Sequence, residues 1–408
     1  MAAGAAFDEL APLDSYRRNV LGQVAALEPI DLGLLEAQGC VLAEDVTAER
    51  DIPRFANSAM DGYAVRAADV NPDTPLEVIG ESAAGGGPVP PLRRAAAVRI
   101  MTGAELPDGA DAVVPVELSV EEGGKVLLRS TPQPGEHVRP AGEDVREGQT
   151  VLTAGQLLGP AQLGMAAALG RARIRARPRP RVVVLATGDE LVEPGASLTP
   201  GKIYDSNSYM LTAMVREAGA TGFRHGIVGD TRRALAEAFE GALSHADALV
   251  TSGGVSAGRY DLVKRVLAEL GDVRFTRVAM QPGMPQAFGF ISGIPCFGLP
   301  GNPVSAFVSF EVFVRPAIRR LQGREDINRS RVSAVMDASV RSPAGKVSFL
   351  RVALRRDDGG WHARPTGPQG SGILGSVVAA DGLAEVPAER TEVPAGERLI
   401  VHLLGADR

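Results

Sequence analysis

From residue 181 to residue 270 the chain alternates strand-like and helix-like segments, and this alternation constrains the fold more than any other feature. Apolar runs at 182–186, 222–228 and 248–251 read as buried strands. Residues 207–218, 231–244 and 262–270 carry apolar positions at helical spacing. Asp205 or Ser206 precedes the first helix and Thr231 opens the second, each as an N-cap. Parallel neighbours need crossover connections, so the pattern predicts a parallel sheet covered by helices on both faces. Such sheets bind ligands beyond the carboxyl ends of their strands.

The loops at those ends carry the chemistry. The third strand runs into Ser252-Gly253-Gly254-Val255-Ser256-Ala257-Gly258-Arg259-Tyr260-Asp261. Glycine lets backbone N–H groups approach a phosphate, and a helix N-terminus adds partial positive charge. The other strand-end loops are Thr187-Gly188-Asp189-Glu190, Gly229-Asp230 and Leu299-Pro300-Gly301-Asn302-Pro303, the last leading into a long apolar helix over 304–321. Asp189, Glu190, Asp230 and Asp261 therefore share one predicted sheet edge, with Asp205 nearby. Magnesium takes oxygen ligands, often one or two carboxylates plus phosphate oxygens. Single acids at such positions also serve as helix caps; the concentration along one edge favours a metal–phosphate site.

The flanks read differently. Residues 14–28 place Tyr16, Val20, Val24 and Leu27 at helical spacing, and 31–38 reads as a second short helix ending at Gly39. From 49 to 144 the chain is rich in Pro and Gly with β-like runs at 64–65, 76–79, 97–100, 112–114 and 125–128. Residues 149–168 return to helix-like character. The arginine-rich run 171–181 reads as a strand with arginines on its solvent face rather than a polyanion-binding arm, because the chain as a whole is acidic. Beyond 326, runs at 347–354, 361–364 and 398–404 suggest a small β-domain whose glycine-rich stretch 366–372 is a linker or a ligand loop. The fold class is multidomain α/β plus β. It comprises an N-terminal mixed or helical domain (1–48 and 145–176), an inserted β-rich domain (49–144), a central parallel-sheet α/β domain (177–325) and a small barrel-like C-terminal β-domain (326–408).

A formal net charge of −6 argues against a nucleic-acid partner. Lysine occurs only at Lys125, Lys202, Lys264 and Lys346, which together with abundant alanine reads as genomic base composition. Cys40 and Cys296 stand far apart, which fits a reducing compartment and no zinc or iron–sulfur site. The histidines show no metal-ligand spacing. Residues 1–10 lack the apolar core of a signal peptide, and no apolar run reaches the ~18 residues of a membrane span. A cytoplasmic protein is expected.

Eight segments, taken in order, resemble the molybdopterin molybdenumtransferase family, which includes the E domain of gephyrin. They are 57–64, 100–104, 142–144, 187–191, 203–207, 252–261, 299–305 and 369–371. The resemblance spans nearly the whole chain. It implies cleavage of adenylylated molybdopterin with release of AMP and insertion of molybdate into the dithiolene, with magnesium as cofactor. It also implies an elongated homodimer whose cleft combines the α/β domain of one subunit with parts of its partner. Further partners implied are the upstream adenylylating enzyme and, in a gephyrin-like scaffold role, other proteins.

By motif match, Glu190, Asp230 and Asp261 manage the metal and phosphates. Thr187, Gly188, Asp189, Asp205, Ser252, Gly253, Gly254, Ser256 and Gly258 surround the nucleotide or pterin phosphate. Pro300, Gly301, Asn302 and Pro303 shape the opposite wall. Asp61, Thr102 and Asp144 contribute from the inserted domain and its neighbour, Arg351 and Ser371 from the C-terminal domain. Two departures stand out. Gln281-Pro282-Gly283-Met284-Pro285 replaces the family's frequent Lys-Pro-Gly-Lys-Pro, leaving Arg277 as the cation upstream, and Phe55-Ala56-Asn57-Ser58 replaces Phe-Asp-Asn-Ser.

Overall fold

A computed structural model describes residues 10–87, 89–254 and 262–405, which divide into two compact units. The first holds residues up to 30, 39–41 and 176 onward; the second holds 31–38 and 42–175.

The first unit is built on a six-stranded sheet. Arg181–Thr187 pairs in parallel with Thr221–Val228 on one side and Ala248–Ser252 on the other, and Ala248–Ser252 pairs in parallel with Ile294–Leu299. The expected parallel sheet is therefore present. It is extended by Pro285–Ile291 and Asp272–Arg277, which continue it antiparallel to the far edge.

Strand alternation decides which helices cover which face. Val182, Val184, Val250 and Phe297 point to the side covered by helices Leu13–Gln23, Asn207–Glu217 and the segment 303–321. Val183, Leu185, Leu249 and Cys296 point to the side covered by Arg232–Leu243 and Leu262–Leu270. Each such side chain contributes about 1.5–3 kcal/mol relative to exposure, so a one-residue slip in register is strongly disfavoured. Thr231 caps its helix as expected, accepting from the Ala234 N–H at 3.2 Å. The long apolar helix is an α-helix, Pro303–Ser309, then a π-helical stretch, Phe310–Val314, then Arg315–Leu321.

The C-terminal β-domain is a closed barrel. Strands Val347–Asp357, Gly360–Pro365, Arg331–Met336, Arg398–Leu403 and Gly382–Val386 pair in that order, and the last returns to the first. Met336, Leu350, Val352, Leu399 and Val401 fill its interior.

The second unit centres on another six-stranded sheet, in the order Ala112–Pro115, Gly62–Val65, Ala96–Ile100, Leu76–Ser82, Lys125–Leu128 and Ser119–Glu122. Tyr63 and Val65 face one cluster, Ala64 and Val98 the other, so this sheet is buried on both sides.

Three local expectations change. The helix expected over 14–28 is Leu13–Gln23, because Val24 turns extended and the Leu27 N–H instead bonds the Leu321 carbonyl at 2.8 Å. The helix expected over 31–38 is the strand Ile30–Gly33 followed by turns; the Glu36 carboxylate accepts the Gly33 N–H at 3.1 Å and closes a turn where a helix would need Gly33 in its interior. Within 149–168 only Pro160–Ala168 is helical, and Thr150–Leu152 pairs with Val46–Thr47 as a strand. No described helix is long and apolar enough to cross a membrane.

Candidate functional site

Register brings the loop-bearing strand ends of the first unit level with one another. Val228 lies opposite Thr187, Ser252 opposite Ala186, and Leu299 opposite Ser252. A cavity of about 340 Å³ opens there, lined among others by Thr187, Glu190, Asn207, Ser252, Gly301 and Gly372.

Sterics dictate the glycines of the turn that closes its floor, Gly253 in the lining and Gly254 behind it. Gly253 has φ +98°, and a Cβ there would lie 2.8 Å from the Thr187 carbonyl oxygen. Gly254 has φ +71°, and its Cβ would fall 2.4 Å from the Val263 side chain. The Gly253 N–H donates to the Leu299 carbonyl at 3.1 Å. Glycine at 253 thus supplies clearance, while its amide is engaged within the sheet rather than offered to an anion as the sequence suggested.

Two of the carboxylate residues, Asp189 and Asp230, are tied to each other. The Asp189 N–H donates to Asp230 Oδ2 at 3.3 Å, and the Asp230 N–H donates to Asp189 Oδ1 at 2.9 Å. This reciprocal tie holds the two loops together and leaves one oxygen of each exposed carboxylate without a partner among the described residues. A Cβ on Gly188 would lie 2.6 Å from Glu190 Oε2, so the glycine lets the Glu190 carboxylate fold back over its own loop. The Lys202 ammonium donates to the Asp189 carbonyl. Asp205 plays a different part. It is 1% exposed and accepts the Ser208 N–H at 3.0 Å, bonds the Ser208 hydroxyl, and faces Arg224 at 3.5 Å. It roots the helix that starts at Asn207.

The opposite wall joins the 299–305 segment to the barrel. The Val304 N–H donates to the Ser371 carbonyl at 3.0 Å, and Asn302 Nδ2 donates to Ser371 Oγ at 3.1 Å. Pro300 is buried ahead of this turn, and Pro303 begins the helix. Arg351, 1% exposed, fixes the 370–376 stretch from behind: Nη2 donates to the Gly370 carbonyl at 3.2 Å and Nε to Ser376 Oγ at 3.1 Å. Burial pushes its guanidinium down to about 10. Within the stretch 366–372, Gly372 lines the cavity and Ser371 is tied to the 302–304 turn.

The remaining expected residues lie elsewhere. Arg277 is not among the cavity-lining residues; its Nε and Nη2 approach Met284 Sδ at 3.4 Å on the antiparallel hairpin. Ser256, Gly258 and Asp261 lie outside the described residues. In the second unit Asp61 and Thr102 do meet: the Thr102 N–H and hydroxyl donate to Asp61 Oδ1 at 2.7 and 2.8 Å. These two bonds hold the Asp61 carboxyl below its usual range. Asp144 is exposed, its N–H donating to the Ile52 carbonyl at 3.0 Å.

Asn207 is the residue that the sequence reading left without a role. Its Nδ2 donates to Ser252 Oγ at 2.8 Å and to the Gly301 carbonyl at 2.7 Å, tying the floor to the opposite wall. The signal available was its place in the matched segment 203–207, immediately before an apolar helix.

No group of three or more His, Cys, Asp or Glu side chains among the described residues could hold a metal ion alone. The exposed oxygens of the tied Asp189–Asp230 pair, with Glu190 beside them, instead fit an ion whose shell is completed by phosphate oxygens and water.

Comparison with known proteins agrees with this architecture. Residues 11–170 match the MoeA N-terminal region (domain I and II), 183–320 a probable molybdopterin binding domain, and 333–404 the MoeA C-terminal region (domain IV). Molybdopterin molybdenumtransferase 2 of Mycobacterium tuberculosis is 45% identical over 400 residues, covering 95% of this chain and 98% of the relative. Molybdopterin molybdenumtransferase of Haemophilus influenzae is 37% identical, covering 96% and 99%. The crystal structure of the molybdopterin biosynthesis MoeA protein of Pyrococcus horikoshii superposes with a TM-score of 0.81 at 34% identity, covering 98% of this chain and 100% of that one. The chain therefore belongs to the MoeA family of molybdopterin molybdenumtransferases.

Proposed function

We propose that this protein inserts molybdate into adenylylated molybdopterin, releasing AMP, with magnesium as cofactor, in the cavity at the strand ends of the first unit. The observation that carries the reading is the convergence on one cavity of Glu190, the Ser252-Gly253 turn, the Gly301-Pro303 turn and the barrel loop at Gly372. Full-length likeness to two molybdopterin molybdenumtransferases supports it.

In this reading Glu190 and Asp230 hold the magnesium ion, with Asp189 positioning Asp230 through their mutual bonds. The ion supplies neutralisation of phosphate charge. The Ser252 hydroxyl and the N-terminus of helix Asn207–Glu217 face the anhydride phosphates; charge developing on the departing AMP is met by donors already in place. Glycine at 253 and 254 lets the turn pack against Thr187 and Val263 without a Cβ clash, which sets the Ser252-Gly253 backbone at the cavity. Asn302 and Ser371, tied together, keep the barrel loop closed against the opposite side. A homodimer working in the cytoplasm is part of the same proposal.

The test is incubation of the protein with adenylylated molybdopterin, magnesium and a series of molybdate concentrations, reading AMP by chromatography and active cofactor by reconstitution of an apo-molybdoenzyme. Both products are expected. Failure to release AMP at any molybdate level refutes the reading. A Gln281→Lys, Met284→Lys variant run beside it reports how the absent lysines set the molybdate concentration required.

A further inference from the structure

We infer that Asn207 is a positioning residue that turns the Ser252 hydroxyl into a hydrogen-bond donor aimed at the ligand's anionic group. The inference rests on the reading that this cavity takes a phosphate.

One end of the Asn207 side chain lies 2.7 Å from the Gly301 carbonyl oxygen. A carbonyl can only accept, so that end is the NH₂ group; the flipped amide would set two oxygens against each other. The same nitrogen lies 2.8 Å from Ser252 Oγ. Both of its hydrogens are then committed, one to each oxygen, and Ser252 Oγ is an acceptor in this contact. The hydroxyl proton of Ser252 must point elsewhere, and it is donated to none of the described residues. Ser252 is 3% exposed and lines the cavity beside Gly253 and Gly301. Its proton is therefore available to an oxyanion entering the cavity.

The geometry is built rather than incidental. Asn207 is the first residue of helix Asn207–Glu217, and the buried Asp205 anchors that helix start through the Ser208 N–H and hydroxyl. Asn207 Oδ1 is buried and has no partner among the described residues. An orphaned buried acceptor costs free energy, so the amide is kept in place by its two donor contacts and not by full satisfaction of its own groups. Serine hydroxyls rotate to suit their surroundings. The amide removes that freedom at Ser252 and, through Gly301, fixes the width of the cavity with the same atom.

Asn207→Asp is the discriminating variant. It has the same shape, but its carboxylate can only accept. It would draw the Ser252 proton back into the protein and repel the Gly301 carbonyl. Asn207→Ala merely releases Ser252. Steady-state AMP release is measured on the full-length protein for both variants, for Ser252→Ala, and for the Asn207→Asp, Ser252→Ala double variant. AMP affinity in the presence of magnesium is measured in parallel by calorimetry.

Ser252→Ala and Asn207→Asp should each raise KM roughly tenfold to hundredfold, the loss expected for one hydrogen bond to a charged group. Asn207→Asp should exceed Asn207→Ala. In the Ser252→Ala background the cost of Asn207→Asp should shrink to what its charge and its repulsion of the Gly301 carbonyl contribute, because the hydroxyl it misdirects is gone. If Asn207→Ala does not fold, as judged by its thermal midpoint, Asn207→Ser replaces it. Equal effects of Asp and Ala at 207, or full additivity with Ser252→Ala, overturns the inference and leaves Asn207 a structural tie. So does Ser252→Ala with unchanged KM and AMP affinity. Absence of turnover by the unmutated protein defeats the functional reading alone, since the ordering of AMP affinities still decides the role of Asn207.

Discussion

Two glycine-bearing loops face each other across the cavity, and they hold their glycines for different reasons. On the floor, Gly253 and Gly254 sit at positive φ with backbone or side-chain atoms where a Cβ would be. On the barrel side, a Cβ on Gly372 would meet nothing within 4 Å, and the loop is held by Arg351 and by the Asn302–Ser371 contact. The floor is shaped by what is missing from it; the wall is shaped by what grips it. Sequence composition treats both as glycine-rich, whereas the physics separates a steric requirement from a tethered loop.

The largest effect should come from breaking the floor. Gly254→Ala places a Cβ against Val263 at an unfavourable φ and should cost about 2–4 kcal/mol, from backbone strain plus overpacking. A denaturant titration should show the midpoint falling, with AMP release nearly abolished. A variant as stable as the parent would mean that the floor has room to relax, and the contrast with the wall would collapse.

Cutting the tether on the wall should do less to stability and more, in proportion, to function. Arg351 has a guanidinium pushed down to about 10 by burial, so its charged form is disfavoured in the fold. The sign follows from linkage. The native pKa lies below the unfolded one, so the unfolded chain binds more protons between them, and stability rises with pH across that window. At neutral pH the charge therefore works against folding while its bonds hold the loop. Arg351→Met should lower Tm less than Gly254→Ala and slow AMP release roughly tenfold, which is ~1.4 kcal/mol of transition-state stabilisation. A Tm loss larger than that of Gly254→Ala would show that Arg351 supports the whole barrel and not the loop.

The same contrast explains what could be read in the chain before its structure. The central sheet was legible because Val182 to Ala186 and Ala248 to Thr251 are near-continuous apolar runs followed by glycine and carboxylates. The hairpin extending that sheet was less legible, because Asp272–Arg277 is short and ends in two polar residues and Pro285–Ile291 opens with proline and carries Gly289 inside it. At 31–38 Gly33 inside so short a segment weakens a helix, and the strand Ile30–Gly33 with its turns forms instead. Asp189 and Asp230 were legible as strand-end acids, but their reciprocal bonds join loops 41 residues apart. Asn207 was hidden for the same reason: its partners lie 45 and 94 residues away, and nothing local marks an amide that bridges them. The resemblance located Asp61 and Thr102, where composition alone described a turn entering a strand.

That pair gives a smaller, spectroscopic test of how a tethered carboxylate differs from one merely placed on a loop. Two hydrogen bonds from Thr102 hold Asp61 below its usual range. A depressed carboxyl pKa contributes stability above its unfolded value near about 4, and this is lost as pH falls through the folded pKa. Thr102→Val removes the hydroxyl and keeps the N–H, so the Asp61 titration followed by NMR should move up part of the way. No movement would assign the whole depression to the backbone N–H.

The smallest effect should be Gly372→Ala. The wall is gripped at Gly370, Ser371 and Ser376, not at Gly372, where an added methyl enters open space and no positive φ stands in the way. Its stability should stay within about 0.5 kcal/mol of the parent. The methyl would nevertheless project from a cavity-lining residue. An unchanged unfolding midpoint with a raised KM for adenylylated molybdopterin would mean that the wall loop touches the ligand. An unchanged midpoint with unchanged KM would leave Gly372 as a rim residue that the ligand does not touch. A lowered midpoint would contradict the comparison itself, since it would give the wall the same steric dependence on glycine that the floor has at Gly254.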